Sequence, residues 1–424
     1  MKYQCKTLKS GLRIITIPLR DTPTVTVLVM VETGSKYEDI TTNGLSHFLE
    51  HMCFKGTKNR PTALDISHEL DSLGAQSNAF TSHEFTGYYA KAHKKHIGTL
   101  LNVVSDIYLN PIFNQSEIDK ERGVIIEEIN MHNDIPQHRV ADVFTSLLYG
   151  DQPAGRSILG PKENIKKFSR EDFISYRGKH YVAEGTTVIV SGSFNEDEVT
   201  SSISGIFEPV SHGKKHNKEK IKEDQKNAAL SVETRKTDQM HIISGVRTFP
   251  VNHKSVPALQ VLNAVLGGGM SGRLFQNIRE KLGVAYYVRS EPEFFTDHGI
   301  LAVSTGVDPR RVEEVGKEII SEFVKLKEEL VPAKELQKAK DYAIGTMYLD
   351  LETSDAAAEF YGFQAVLRQK FKTPEEISQA MRDINANDVK NLAEDIFTNK
   401  NLNTAIVGNI SSSDSLISAF SFPS

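Results

Sequence analysis

The sequence has very little cysteine. Cys5 and Cys53 are the only two among its 424 residues, and one pair cannot provide a disulfide framework for a chain of this length. The disulfide-rich secreted class is therefore excluded. We expect reduced thiols and a cytoplasmic protein, or a protein of an organelle matrix if a targeting segment has been removed.

Long apolar runs and an excess of basic residues are also missing. The longest apolar stretch, residues 25–31, has the length of a strand, whereas a bilayer-spanning helix needs about 20 residues. The N-terminus resembles neither a secretory signal nor a basic presequence. The formal net charge of −5 lacks the basic footprint of a nucleic-acid-binding protein. We therefore expect a soluble protein with no membrane and no nucleic-acid partner.

The sequence does contain two halves with the same order of predicted elements. Each half begins with a β-rich run, at residues 24–33 and 240–247, and continues through helical patterns to a Leu-Gly pair, two strands and a long helix. The Leu-Gly pairs at 73–74 and 282–283 lie about half a chain apart, which indicates a duplicated unit. Because several helices follow the strands, we predict α+β domains in which helices pack on one face of a mostly antiparallel sheet.

A charged segment separates the two halves. Residues 212–227 contain six lysines, three acidic residues and one aliphatic residue, so they cannot contribute to a core and are predicted to be a solvated linker. The chain also exceeds the length that one hydrophobic core usually serves. We predict two similar domains, residues 1–211 and 228–424, on either side of this linker.

Two histidines and a glutamate share one face of a predicted helix. Glycines lie near both ends of residues 43–56, and spacings of three and four bring His47, Glu50 and His51 together. Two imidazoles four residues apart can bind one Zn²⁺, and the adjacent carboxylate can accept a proton from a metal-activated water. This is the inverted form of the zinc-peptidase motif. The alternative, two core-facing histidines, would bury Glu50 without a partner, which is costly.

A catalytic zinc ion also needs a third protein ligand and one open position. The helix predicted at residues 116–132 is rich in glutamate. Glu121 and Glu128 are two turns apart and share a face, whereas Glu127 points about 100° away. We predict that Glu128 is the ligand and that Glu121 orients a ligand through a hydrogen bond. Glu127 is the alternative ligand, and Cys53 is expected to be buried rather than bound to the metal.

These motifs resemble those of a known family. H-F-L-E-H at residues 47–51, together with E-R-G-V-I-I-E-E at residues 121–128, resembles the pitrilysin–insulysin family, most closely its half-length branch around the catalytic subunit of mitochondrial processing peptidase. The resemblance covers nearly the whole chain, including the glycine-rich residues 267–276. It implies catalytic support from the residue at Glu121 and a general base at Glu50. It also implies one zinc ion per chain, with the ligands His47, His51 and Glu128.

Two further parts of the sequence match substrate-binding elements of that family. The family's edge strand, which pairs with the peptide substrate, is matched by Asn78, Ala79, Phe80 and Thr81. Arg279 and Tyr286 match an arginine that grips the substrate backbone and a tyrosine that stabilises the developing oxyanion. Spacing alone would suggest an ordinary exposed arginine and a strand tyrosine, so only the resemblance assigns these two a function.

The resemblance also implies an assembly. Full-length relatives enclose a chamber with four such units, and this chain has two, so we expect a homodimer that forms a closed chamber. Arg279 and Tyr286 of one subunit would then face the zinc of the other. Heteromeric relatives divide the zinc motif and the glycine-rich segment between subunits, whereas this chain has both.

The resulting prediction is a zinc-dependent endopeptidase that cleaves extended oligopeptides or presequence-like segments. One alternative is a non-catalytic peptide-binding or structural subunit of the same family, although such subunits typically lose the metal ligands that are intact here. The other is a zinc hydrolase that uses the same ligands on a non-peptide substrate.

Overall fold

The computed structural model describes residues 1–368, 370–410 and 416–423. Its strands are β1 (Gln4–Thr7), β2 (Arg13–Pro18), β3 (Thr24–Val31), β4 (Gln76–Thr81), β5 (Thr86–His93), β6 (Thr186–Gly192), β7 (Ala229–Thr234), β8 (Met240–Thr248), β9 (Ala285–Phe294), β10 (Gly299–Val307) and β11 (Leu402–Gly408). Its α-helices are α1 (Leu45–Cys53), α2 (Ala63–Ser72), α3 (Ile97–Leu109), α4 (Gln115–Asp134), α5 (Pro136–Tyr149), α6 (Lys162–Ile165), α7 (Arg170–His180), α8 (Glu196–Ile206), α9 (Val256–Gly267), α10 (Val312–Glu328), α11 (Ala333–Asp350), α12 (Ser354–Leu367), α13 (Pro374–Arg382), α14 (Ala386–Ile396) and α15 (Leu416–Ala419).

The chain forms two compact units, each built around one sheet. The first sheet has the strand order β1-β2-β6-β3-β5-β4, and the second has the order β7-β11-β8-β10-β9. Apart from the additional strand β1, the two sheets have the same strand order, in which β2, β6, β3, β5 and β4 correspond to β7, β11, β8, β10 and β9. The pairs β2–β6 and β7–β11 are parallel, and the other pairs are antiparallel. The prediction of two duplicated α+β units with mostly antiparallel sheets is confirmed.

The central strand β3 shows how the first unit forms its core. Its sequence, TVTVLVMV, is buried from the second residue onward. Alternate side chains point to opposite faces of a strand. One face of β3 therefore packs into the main hydrophobic core of the first unit through Val25, Val27 and Val29. The other face contributes Leu28 and Met30 to a second hydrophobic cluster. A strand that is covered on both faces needs apolar residues at successive positions, which explains the nearly continuous hydrophobic run.

One helix in each unit comes from the other half of the sequence. Helix α12 packs on β3 and β6 of the first sheet, and α5 packs on β11 and β8 of the second. In the first unit, the Ser354 hydroxyl is 2.8 Å from that of Thr26, and Lys91 Nζ is 2.7 Å from an Asp355 carboxylate oxygen. In sequence order, the first unit comprises Met1–Asn130, Arg156–Glu219 and Asp350–Thr373.

The charged segment 212–227 has no helix or strand. Two of its lysines nevertheless pair with buried carboxylates of the first unit. Lys215 Nζ lies 2.6 Å from Glu32 Oε2, and Lys218 Nζ lies 3.4 Å from Glu84 Oε1. Among the described helices, none has both the length and the apolar character needed to cross a membrane.

Candidate metal centre

Helix α1 carries both histidines, and its N-terminus is fixed by a carboxylate from the loop that precedes it. Gly44 precedes the helix with φ +98°, and a Cβ at that position would lie 2.7 Å from the Leu159 carbonyl oxygen. The residue before the helix therefore offers no side-chain cap. Glu38 caps it instead, because its carboxylate accepts from the backbone N–H groups of Ser46 at 2.6 Å and Gly44 at 2.8 Å. Burial raises the pKa of Glu38.

Glu128 of α4 faces the two histidines of α1. Its carboxylate oxygens lie 3.7 Å from His47 Nε2 and 3.6 Å from His51 Nε2. One ligand atom from each residue lies within 4.8 Å of the others. These separations are too long for hydrogen bonds but close to the roughly 3.3 Å between two ligands of a tetrahedral zinc ion. The His₂Glu donor set therefore fits zinc. The alternative ligand, Glu127, is exposed and accepts a hydrogen bond from Asn130.

The surroundings shift the pKa values of the two histidines in opposite directions. Burial, together with the nearby His51, lowers the pKa of His47 to about 3, so its ring is neutral at physiological pH. His47 Nδ1 is buried and has no hydrogen-bond partner within the described part of the chain. Burial favours the neutral form of His51 too, but its hydrogen bond to Glu121 and nearby carboxylates raise its pKa.

Glu121 lies behind His51 rather than beside the ligand atoms. His51 Nδ1 donates to Glu121 Oε1 at 2.9 Å, so His51 Nε2 is the nitrogen that faces Glu128. The other oxygen, Oε2, lies 2.6 Å from Lys55 Nζ. Burial would raise the pKa of Glu121, but the hydrogen bonds from His51 and Lys55 lower it. Lys55 was not predicted from the sequence, although its position four residues after His51 indicates a shared helix face.

Glu50 is held by the strand that was predicted to bind substrate. Thr81 Oγ1 donates to Glu50 Oε2 at 2.6 Å, and burial raises the pKa of Glu50. Thr81 is the last residue of β4, which forms the edge of the first sheet and also contains Asn78, Ala79 and Phe80. The structure thus places the candidate base next to the candidate substrate strand.

The other residues considered for the site have different surroundings. Cys53 is buried, and burial raises its pKa to about 11, so it is a protonated thiol at neutral pH. In the second unit, Arg279 Nη1 donates to the Tyr286 carbonyl oxygen at 3.0 Å. The Tyr286 side chain is on the edge strand β9, where the residue is 70% exposed. The structure therefore brings Arg279 and Tyr286 together, and their roles stay predictions.

Known proteins resemble this chain along almost its whole length. The insulinase family (peptidase family M16) matches residues 13–162, and the peptidase M16 inactive domain matches residues 167–342. A protein of Rickettsia felis named an uncharacterized zinc protease is 34% identical over 96% of this chain and 97% of its own. One of Bacillus subtilis with the same description is 32% identical over 94% and 95%.

Solved structures share the fold. A protease from Helicobacter pylori has a TM-score of 0.90 at 24% identity, covering 96% of this chain and 99% of its own. A peptidase M16 inactive domain from Pseudomonas fluorescens has a TM-score of 0.89 at 15% identity, covering 97% and 99%. From these family matches and from relatives that align end to end, we conclude that the chain belongs to peptidase family M16, the insulinase family.

Proposed function

We propose that the protein is a zinc-dependent endopeptidase with one zinc ion per chain. The observation that carries the proposal is the convergence of His47, His51 and Glu128 beside the carboxylate of Glu50. Three protein ligands are the number that a catalytic zinc site uses, because the fourth position is kept for water or substrate. The zinc-protease names of the relatives support the same metal.

The residues around this centre have separable tasks. When bound, zinc would lower the pKa of a water molecule and polarise the scissile carbonyl. His47 is neutral and buried, and His51 is oriented by Glu121, so both are prepared to bind the ion. Glu50 accepts the proton of the attacking water and donates it to the leaving amine. Burial raises the pKa of Glu50, which brings this carboxyl closer to the operating pH of a proton carrier.

The substrate class follows from the edge strand. An extended peptide can add to β4 through main-chain hydrogen bonds, which makes recognition depend on an unfolded segment more than on one side chain. We infer that oligopeptides and presequence-like segments are the substrates. The proposal includes a homodimer with a closed chamber, and a cytoplasmic location or an organelle matrix.

The test combines peptide cleavage with metal analysis. Wild-type protein should cleave an internally quenched peptide, lose activity to a chelator and regain it with zinc. Glu50→Gln should keep its zinc but cleave about 10²–10⁴-fold more slowly, because only proton transfer is removed. Glu128→Gln should lose the zinc, and the matched control Glu127→Gln should keep both zinc and activity.

Two outcomes would contradict the proposal. If zinc-loaded wild-type protein binds peptides but cleaves none, it is a non-catalytic subunit. If Glu50→Gln turns over as fast as wild type, Glu50 is not the base.

A further inference from the structure

Lys55 and His51 bind opposite oxygens of the same buried carboxylate. His51 Nδ1 is 2.9 Å from Glu121 Oε1, and Lys55 Nζ is 2.6 Å from Glu121 Oε2. The Glu121 side chain is only 7% exposed, whereas that of Lys55 is 28% exposed. A carboxylate with one charged partner can still rotate about its terminal bond, but two charge-assisted hydrogen bonds to its two oxygens fix its plane.

The backbone holds Lys55 one turn beyond His51. The helical path continues past the end of α1, because the N–H of Phe54 bonds to the His51 carbonyl at 3.1 Å and that of Lys55 bonds to the Met52 carbonyl at 3.2 Å. Gly56 then turns the chain with φ +132°, and a Cβ there would lie 2.4 Å from the Pro61 carbonyl oxygen. The lysine is therefore presented to Glu121 by a constrained segment rather than by a mobile loop.

Glu121 is held equally well from its own side. It lies on α4 between Ile118 and Ile125, and both isoleucines are fully buried in the core of the first unit. The carboxylate is thus fixed by its helix, by His51 and by Lys55.

We propose that Lys55 is a positioning residue of the metal centre. By holding Glu121 Oε2, Lys55 keeps Oε1 in place to accept from His51 Nδ1, which leaves His51 Nε2 directed at the ion. The proposal rests on the proposed function in that the ion is zinc. Mutation of a residue that orients a metal ligand in this way typically lowers metal affinity or activity 10–100-fold.

Simple charge repulsion predicts the opposite change in zinc affinity when Lys55 is removed. An ammonium group near a divalent cation repels it, so removal of Lys55 would tighten zinc binding if charge alone acted. Removal would weaken zinc binding if Lys55 acts by positioning Glu121. The direction of the change in zinc affinity therefore separates the two roles without any measurement of activity.

The experiment is a zinc titration against a chromophoric chelator, with apo protein prepared from the full chain. Lys55→Met should raise the zinc Kd about 10-fold. Lys55→Arg, which keeps a donor to the carboxylate, should retain most of the wild-type affinity. Lys58→Met is the matched control, because Lys58 is an exposed lysine on the same segment, and its zinc Kd should not change. Because Lys55 acts through Glu121, the double variant Lys55→Met/Glu121→Gln should bind zinc no more weakly than Glu121→Gln alone.

The outcomes distinguish this inference from the proposed function. If wild-type protein binds zinc and cleaves peptide, but Lys55→Met binds zinc as tightly as wild type or more tightly, the positioning role is wrong and the proposed function stands. Additive losses in the double variant would also overturn it. A weaker Lys55→Met site that Lys55→Arg does not rescue, together with a lower unfolding temperature of the zinc-free protein, would indicate a structural role instead. Absence of zinc binding by wild type would contradict the proposed function itself.

Discussion

At the scale of single residues, the metal centre depends on hydrogen bonds that hold one atom of each functional side chain in place. Thr81 occupies one oxygen of Glu50, which leaves the other to exchange protons. The same contact joins the end of the edge strand β4 to the candidate base. A peptide added to β4 would therefore lie beside a carboxylate whose orientation the strand itself sets.

Replacing Thr81 with valine should slow catalysis without weakening substrate binding. The change removes the hydroxyl and keeps the shape. Hydrogen bonds to charged groups contribute about 1.5–3 kcal/mol, so we expect kcat to fall about 10–100-fold while KM and zinc content stay close to wild type. Steady-state kinetics on the quenched peptide would measure this. Thr81→Ser, which retains the hydroxyl, should be nearly normal, and an equally slow serine variant would contradict the role of the hydroxyl.

His180 should make the fold sensitive to acid. It is the last residue of α7 and is buried against Tyr176, and burial, with Lys179 and His216 nearby, lowers its pKa from 6.5 to about 3. As the pH falls, His180 is protonated in the unfolded chain near pH 6.5 but in the folded protein only near pH 3. The stability that comes from neutral His180 is therefore complete above pH 6.5 and is lost as the pH falls toward 3. Between pH 7 and pH 5 the loss is about 2 kcal/mol.

The measurement is urea unfolding of the zinc-free protein at both pH values. His180→Phe keeps a ring but cannot titrate, so its free energy of unfolding should fall by about 2 kcal/mol less than that of wild type over the same pH range. Equal losses in the two proteins would show that His180 is not the group responsible.

At the scale of elements, the short helix α1 is held by Glu38 rather than by its own N-cap. Donors from three residues meet this one carboxylate, and they include the backbone N–H groups of Gly44 and Ser46 and the side-chain amide of Asn43. The cap is buried, so its donors depend on this carboxylate rather than on bulk water. The position of both histidines therefore depends on a residue outside the helix.

Glu38→Ala should destabilise the protein more than the loss of an ordinary cap. We expect the free energy of unfolding to fall by about 2–4 kcal/mol, because buried donors are left unsatisfied, and zinc affinity to fall with it. The control is Thr62→Ala, which removes the exposed side-chain cap of α2. That change should cost about 1 kcal/mol and leave the zinc Kd unchanged. Urea unfolding and chelator competition would measure both, and equal effects of the two variants would count against the special role of Glu38.

At the scale of the whole molecule, each unit includes a helix from the other half of the sequence. In the first unit, α12 covers the sheet face that carries Leu28, Met30 and Ile189. Helix α5 does the same for Ala405 and Val407 in the second unit. The chain passes between the units five times. Each sheet is therefore completed by residues that follow or precede the charged segment 212–227.

A fragment of residues 1–211 should not fold stably by itself. Without α12, the apolar face around Leu28 and Met30 would be exposed to water, which favours aggregation. Fragment 228–424 would similarly lack α5. We expect each fragment alone to be insoluble and the two expressed together to give a soluble complex, as judged by gel filtration. A monomeric, cooperatively unfolding 1–211 fragment would contradict this expectation.

The proposed homodimer predicts complementation between two inactive variants. If Tyr286 of one subunit serves the zinc of the other, a mixed dimer of Glu50→Gln and Tyr286→Phe subunits contains one intact site. Random mixing after co-expression should then restore about a quarter of wild-type activity, since half of the dimers are mixed and each has one of two sites. Light scattering would give the mass. A monomer, or a mixture as inactive as its components, would contradict the shared site.

The sequence by itself determined the parts that depend on local spacing. The helix predicted within residues 43–56 is Leu45–Cys53, and the one predicted at 116–132 is Gln115–Asp134. Spacings of three, four and seven decide which side chains share a helix face, so the residues proposed as ligands could be named before any contact was known. Repetition of the element order likewise gave the duplicated α+β units.

Only the tertiary structure decided which residues far apart in the chain meet. The link from Thr81 to Glu50 and the exchange of α5 and α12 join segments that are distant in the sequence, and no helical or strand periodicity predicts these contacts. A helix can cover any sheet face that its apolar stripe fits, and a buried N–H group can donate to any carboxylate within reach. Packing of the whole chain selects among these partners, because local geometry limits where a side chain points but not what it will find there.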